Sequence, residues 1–306
     1  MSRRAIRVAT AKPWRTDAVV ERELSLGSRT ELSLGWRTDL IFARFDGKVV
    51  ARDDCLVVRT PANPGFWWGN FLLLDRAPRA GDAAHWTKRF AAEIGKHQPG
   101  SRHVAFGIDA PEHFELPADF VAAGFTLGAA TVLTMRREQL RLPRKPIAPA
   151  AYCIRPLALP AQSAQAVELH VASDAGAHQP VAEYRAFRER QMARYGAMER
   201  AGLGRWFGVF TDDGQTLVAD CGLFTDGTLG RFQHVSTHPA WRRRGLCAAL
   251  IHAVCSQGFA TMQLETLVIV ADPDDVAIGL YESLGFVRGT STWQIERPPA
   301  AAGEGS

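Results

Sequence analysis

The segment His238 to Val254, HPAWRRRGLCAALIHAV, decides how this 306-residue chain is read. It follows a strand-like run, GRFQHVST (230 to 237), and turns through three arginines and Gly245 into a helical pattern of Leu246, Ala249, Leu250, Ala253 and Val254. A strand, a tight basic turn and a helix are implied. The first N–H groups of a helix lack internal partners and its dipole adds partial positive charge there, so such a turn suits an anion. Gly245 permits close backbone approach, Cys247 and Ala248 are small, and Arg242, Arg243 and Arg244 offer charge-assisted bonds. Taken alone, the pattern also fits a solvated turn or a nucleic-acid contact. Rival phosphate motifs fit less well: no P-loop sequence occurs, and Gly202, Gly204 and Gly208 precede a strand rather than a helix.

Upstream of this turn, YCIRPL (152 to 157) reads as a strand and residues 161 to 173 and 181 to 201 as helices. RWFGVF (205 to 210), TLVADCGLF (216 to 224) and GRFQHVST then form an antiparallel meander, separated by TDDGQ and TDG turns. Downstream come a helix over 245 to 257, a strand over 264 to 270, a helix over about 273 to 284 and a strand over 286 to 296. That order describes a mixed α/β domain. The later helix takes Asp272 as its cap, Pro273 at its first position, Asp275 three residues after the cap and Gly285 as its stop. Ala277, Leu280, Tyr281 and Leu284 share roughly one of its faces.

Two motifs in this order resemble the Gcn5-related N-acetyltransferase (GNAT) superfamily. Its cofactor loop runs Arg or Gln, two residues, Gly, one residue, Gly or Ala. Arg242, Arg243, Arg244, Gly245, Leu246 and Cys247 fill that pattern, with Cys247 departing at the last place and Ala248 following. Its domain ends on Tyr, three residues, Gly, Phe, matched by Tyr281, Gly285 and Phe286. The resemblance implies that amides from about Arg243 to Ala248 hold the pyrophosphate of acetyl-coenzyme A. It also implies that the pantetheine arm lies between strands 230 to 237 and 264 to 270, lined by backbone from Val235 to Thr237.

The implied reaction is direct transfer of an acetyl group to a primary amine, with a strand amide polarising the thioester carbonyl. A departing thiolate, with a thiol pKa of about 8.5, benefits from a proton, and a phenol of pKa about 10 holds one at neutral pH. Tyr281 is the candidate acid; on helical spacing alone a core tyrosine is the stronger reading, and its co-occurrence with the basic turn reverses that order. A lysine-like amine must lose a proton at a cost of ~4.6 kcal/mol at pH 7, so a base or a water relay is needed. His234 ranks first for that role, with His238 and Glu265 as alternatives. Cys247 reads as a buried thiol rather than an acyl carrier.

The first half shows strand-like LIFARF and KVVARDDCLVVRT, the aromatic patch FWWGNFLLL, a helix near 83 to 95, a strand at HVAFGI, and DFVAAGF before ATVLTM. Phe120 to Phe125 resembles the family's ending with Phe120 in place of the tyrosine, and no arginine-glycine turn precedes it. The resemblance therefore implies an α/β (α+β) fold of two GNAT-like domains, each a mostly antiparallel sheet flanked by helices. Residues 1–148 form a degenerate, non-catalytic copy, 149–297 the acetyltransferase domain and 298–306 a flexible tail. The boundary rests on residues 136 to 150, RREQLRLPRKPIAPA, which read as an exposed linker. Phe66, Trp67 and Trp68 suit core first, then an interdomain seam, then an acceptor pocket. ELSLGSRT (23 to 30) and ELSLGWRT (31 to 38) are a local tandem duplication, too short for a solenoid.

Composition bounds the remaining classes. With 46% apolar and 22% charged residues the chain is ordinary and globular, and a net charge of +4 suits an anionic small molecule better than a nucleic-acid track. Cys55, Cys153, Cys221, Cys247 and Cys255 are odd in number and lack CxxC spacing, which fits a reducing compartment. No apolar leader follows Ser2, Arg3 and Arg4, and no stretch reaches membrane-spanning length. The expectation is a cytoplasmic enzyme using acetyl-CoA without a metal, with a small-molecule or peptide amine as partner and neither nucleic acid nor membrane. A non-catalytic acetyl-CoA sensor or regulatory module is the alternative.

Overall fold

The computed structural model describes residues 31–110, 112–148, 151–174 and 180–299. The first half contains α1 (Leu34–Asp46), β1 (Lys48–Ala51), β2 (Cys55–Arg59), β3 (Phe71–Leu74), α2 (Ala83–Phe90), β4 (Val104–Ile108), α3 (Ala118–Ala122) and β5 (Thr126–Arg136). The second contains β6 (Tyr152–Pro156), α4 (Ser163–Ser173), α5 (Val181–Arg200), β7 (Gly204–Thr211), β8 (Leu217–Asp226), β9 (Leu229–Thr237), α6 (Leu246–Ala260), β10 (Thr266–Ala271), α7 (Ala277–Ser283) and β11 (Val287–Arg297). Two compact units result. The described residues up to 132, with 270–273 and 289–299, make the first; residues from 133 to 269, with 274–288, make the second. The units thus part at 132 and 288, not at the boundary expected at 148, and β5 and β11 each divide between them.

In the first unit β1, β2 and β3 pair antiparallel, with Leu56 opposite Leu73, and β3 runs parallel to β4, with Leu72 beside Phe106. β4 pairs antiparallel with β11, Trp293 facing Ile108, and β5 follows β11 in the order. The runs CLVV and FLLL are apolar without a break because both faces of the sheet are covered. Cys55, Val57, Leu72 and Leu74 pack with Trp86, Phe90, Phe106 and Phe120 on one face; Leu56, Val58, Phe71 and Leu73 pack with Trp36 and Leu40 on the other. Each large side chain so buried contributes about 1.5–3 kcal/mol.

The run LIFARF (40–45), expected as a strand, lies inside α1. Its helical stripe starts upstream, at Trp36, and continues through Leu40 and Ala43 against the core, so six residues viewed alone hid the period. Trp36 is also the one position where the tandem copies differ. The copy at 23–30 lies outside the described residues, as do residues 300–306 of the expected tail. The aromatic patch packs within its own unit: Trp67 stacks on His103 with centroids 5.3 Å apart, and Trp68 tilts against Trp36 at 6.1 Å.

In the second unit β7 to β9 form the expected antiparallel meander, with Phe207 opposite Cys221 and Leu223 opposite Phe232, and β6 pairs antiparallel with β7, Ile154 opposite Val209. β10 joins β9 in parallel, and α6, which links them, buries Leu246, Leu250, Val254 and Phe259. Residues 137–148, expected as an exposed linker, are largely exposed yet tied to this unit. Arg137 donates to the Phe259 carbonyl near the end of α6, the Arg141 amide to the Leu284 carbonyl at 2.8 Å, and Lys145 Nζ to the Arg243 carbonyl at 3.1 Å. Among the described residues no helix is long and apolar enough to cross a membrane, and no group of three or more His, Cys, Asp or Glu side chains is placed to hold a metal ion.

Candidate active site

β9 begins as a regular partner of β10 and then leaves it. Leu229, Gly230 and Arg231 pair with Thr266, Leu267 and Val268, and no register continues beyond them although both strands run on. On its other edge β9 carries a bulge: Asp220 faces Ser236 and Gly222 faces Gln233, so β9 holds one residue more than β8 across this stretch. His234 sits there at φ 48°, a left-handed conformation that takes up the extra residue before Ser236 and Thr237 resume pairing with Asp220 and Ala219. Val235, Ser236 and Thr237 lie just past this departure, on the side where the two parallel strands part.

The basic turn follows directly. His238 Nδ1 accepts from the Ala240 amide at 3.2 Å and starts a short turn, Pro239–Trp241. Arg242 braces the loop through the carbonyls of Thr237 and Ser173, both at 3.2 Å, while Arg244 reaches the Ala240 carbonyl at 3.3 Å and lies over the Trp241 ring. Arg243, at φ 63°, leaves its side chain exposed. Gly245, at φ 84°, caps α6, and a Cβ there would stand 2.9 Å from the Lys145 carbonyl oxygen. Only glycine fits both demands without strain. The amides of Leu246, Cys247 and Ala248 open the helix. The Leu246 side chain turns into the core, so only its backbone belongs to the turn. Burial and the nearby Asp275 charge push the Cys247 thiol up to about 12, which keeps it protonated and inert.

Tyr281 is brought to this place by α7. The helix starts later than expected: Val276 holds the cap position, Asp275 before it accepts from the Ala277 amide at 2.8 Å, and Pro273 stays outside. The Asp274–Asp275 pair offers a second cap one turn on, which a reading by spacing could not rank. Gly285, at φ 109°, ends the helix; Phe286 N donates to Tyr281 O at 3.1 Å and Gly285 N to Glu282 O at 3.0 Å. Tyr281 is 4% exposed. Burial, then the neighbouring Cys247, Asp275 and Cys221, hold its phenol well above the ordinary value, so it carries its proton throughout the neutral range.

The three candidate bases fare differently. Glu265 is exposed at the opening end of β10, its amide bonded to Thr228 O at 2.8 Å, so it lies at the far end of β9 from the basic turn. His238 spends its Nδ1 lone pair on the Ala240 amide. His234 is half-buried and doubly engaged: Arg188 approaches Nδ1 at 2.9 Å, and Ser236 Oγ lies 3.0 Å from Nε2. A guanidinium can only donate, so Nδ1 accepts and the imidazole proton sits on Nε2. Burial, with His170 and Arg188 close by, pushes this imidazole well below its usual value. The ring is neutral, but its lone pair is occupied.

Sequence reading missed the polar cluster that holds His234. Arg188, on α5, donates from Nε to Tyr184 Oη at 2.7 Å, from Nη1 to Gln191 Oε1 at 2.8 Å and from Nη2 to Asp174 Oδ2 at 3.2 Å. His170, on α4, lies edge-on to His234 with centroids 4.1 Å apart, and its Nε2 meets Asp220 Oδ2 at 2.8 Å, where Trp206 Nε1 also donates. Asp220 and His170 are no more than 1% exposed, so Asp220 Oδ2 takes its partners from within the unit, while Asp220 Oδ1 and His170 Nδ1 are buried without a hydrogen-bond partner. A signal was present: Tyr184, Arg188, Gln191 and Tyr195 repeat at 4, 3 and 4 residues, polar side chains on the stripe a helix reserves for its core.

Residues 204–288 match the acetyltransferase (GNAT) domain family, the stretch holding the bulge, the basic turn and Tyr281, and the chain carries a GNAT domain there. Three solved structures share the fold over most of the chain. A functionally unknown conserved protein from Staphylococcus epidermidis has 14% identity over 83% of this chain and 94% of its own, with a TM-score of 0.64. A GCN5-related N-acetyltransferase from Kribbella flavida has 17% identity over 88% and 97%, with a TM-score of 0.56. A tandem GNAT protein from the clavulanic acid biosynthesis pathway has 15% identity over 74% and 72%, with a TM-score of 0.50. At such identities the likeness is one of fold. No curated protein matches the chain.

Proposed function

We propose that residues 149–297 transfer the acetyl group of acetyl-CoA to a primary amine, and that the first half is a non-catalytic copy. The observation that carries this reading is the coincidence at one end of β9: strands part after Arg231 and Val268, and a glycine-capped, arginine-rich helix start follows within a few residues. The amides of Arg243 to Ala248, the side chain of Arg243 and the helix dipole suit a pyrophosphate. Backbone from Val235 to Thr237, past the end of the pairing with β10, suits an extended amide-bearing chain along that edge, with an N–H available to polarise the acyl oxygen.

Acetyl-CoA supplies the acyl group as a thioester; the amine's C–N bond forms as the C–S bond breaks. Tyr281 is the proton donor to the leaving sulfur and regains its proton from solvent. His234 serves as a positioning residue, since its Nδ1 lone pair is committed to Arg188, and the amine's proton leaves to water. The acceptor, a small-molecule or peptide amine, would meet the enzyme beside α4 and α5. Release of free thiol from acetyl-CoA across an amine panel tests the reading, with Tyr281→Phe in parallel.

A second reading, an acetyl-CoA sensor without turnover, is favoured by one observation: none of His234, His238 and Glu265 is placed with a free lone pair at the site. Saturable acetyl-CoA binding with no thiol release for any amine, from pH 6 to about 9, would select it.

A further inference from the structure

The first unit repeats the path of the second in a place where its sequence carries no arginine turn. β3 leads through a loop into α2 and on to the parallel strand β4, as β9 leads through α6 to β10. The end of each path repeats as well. Phe125 N donates to Phe120 O at 3.0 Å and Gly124 N to Val121 O at 3.0 Å, with Gly124 at φ 80°, reproducing the Tyr281–Phe286 turn bond for bond. The loop before α2 holds a left-handed glycine too, Gly81 at φ 93°.

What differs is the occupant. One carboxylate oxygen, Asp119 Oδ2, accepts from the Gly81 amide at 3.1 Å and the Ala83 amide at 3.0 Å, the two N–H groups that flank the start of α2. This is no ordinary cap, because Asp119 comes from α3, more than thirty residues away. The local capping residue, Asp82, turns its own carboxylate back to the Arg79 amide at 2.9 Å and leaves the helix start to Asp119. Asp119 stands directly before Phe120, where the second unit has Leu280 before Tyr281.

We propose that the first unit retains an anion seat at Gly81–Ala83 and fills it with its own Asp119 carboxylate, so that this unit takes no coenzyme A and the chain binds one cofactor. Two converging amides and a helix start form a seat for an oxyanion, and a tethered carboxylate competes for it at a high effective concentration. The stoichiometry rests on the acetyltransferase reading; the seat itself does not.

Thermal melts of wild type, Asp119→Ala, Asp119→Asn and Asp82→Ala, with sulfate titrated at constant ionic strength, test the seat. Asp119→Ala is expected to melt about 2–4 °C lower and to recover at least half of that loss in tens of millimolar sulfate, while wild type and Asp82→Ala respond by about 1 °C or less. Asp119→Asn keeps an acceptor oxygen, folds more readily and responds in between. Equal stabilisation of every variant by sulfate would overturn the proposal. So would two equivalents of acetyl-CoA bound per wild-type chain in a calorimetric titration. If wild type binds none, the acetyltransferase reading fails, and the sulfate response still decides whether the seat exists.

Discussion

Arg188 donates to Nδ1 of His234 at 2.9 Å, and that one bond assigns the imidazole its tautomer and takes away the lone pair a base would use. His234→Asn, which keeps a polar side chain at the bulge, should therefore retain kcat within about tenfold of wild type and an unchanged pH–rate profile, where loss of a general base costs about 10²–10⁴-fold. Steady-state thiol release read against pH separates the two.

Tyr281→Phe removes only a hydroxyl from a packed ring. A fall in kcat of about 10²-fold with little change in the KM for acetyl-CoA is expected if the phenol protonates sulfur. Because the phenol is held above its ordinary range, wild type should show no loss of acid function up to about pH 9. An unaltered kcat in the variant would remove Tyr281 from the chemistry.

At the basic turn the arginines divide by task. Arg243→Ala should weaken acetyl-CoA binding several-fold, on the order of 1 kcal/mol, with a reduced salt dependence and an unchanged melting temperature. Gly245→Ala places a side chain at φ 84° and 2.9 Å from the Lys145 carbonyl, so it should cost about 1–3 kcal/mol of stability and more than tenfold in affinity. Calorimetric binding and thermal melts measure both. Similar losses for the two variants would refute the division.

The paired turns offer an internal control. A Cβ at Gly285 would stand 1.9 Å from the Gln139 carbonyl oxygen, whereas one at Gly124 meets nothing nearer than Arg297 Cδ at 3.7 Å. Both glycines have positive φ, so Gly124→Ala should cost about 1 kcal/mol for backbone strain alone, and Gly285→Ala about 2–4 kcal/mol. Denaturant midpoints at constant m-value would check the ordering.

Burial also makes stability depend on pH. His103 is 2% exposed and its imidazole is pushed down to about 4 by desolvation, and His234 is displaced in the same direction. For a histidine with a depressed folded value the unfolded chain takes up the proton first. Stability is full above about pH 6.5 and is lost as pH falls toward 4, by at most about 3 kcal/mol for His103. Melting temperatures followed from about pH 7 to about pH 5 should fall, and His103→Asn should shrink the fall. A flat wild-type curve would contradict it.

The second unit was legible nearly throughout because its strands alternate with helices at clear punctuation, and Gly245 and Gly285 mark both ends of the chemistry. Val235 to Thr237 could be placed only as a strand; that β9 bulges at His234 depends on its pairing with β8, which no local pattern records. The cap of α7 was misplaced because Asp272, Asp274 and Asp275 all satisfy the same rule. In the first unit LIFARF misled because its helix begins six residues before it, at Leu34 in the duplicated segment. Arg188 and His170 escaped notice because a buried charge can be recognised only with its partners, and Asp174, Asp220 and His234 come from elsewhere in the chain.

The allotment of β11 has a consequence for how the protein is made. Residues 289–297 lie between β4 and β5 in the first unit's strand order. The half that leaves the ribosome first therefore stays short of one interior strand until translation has passed residue 297. A nascent chain halted near 148 holds β4 and β5 without the strand that lies between them, and so exposes unpaired strand edges for chaperones to shield.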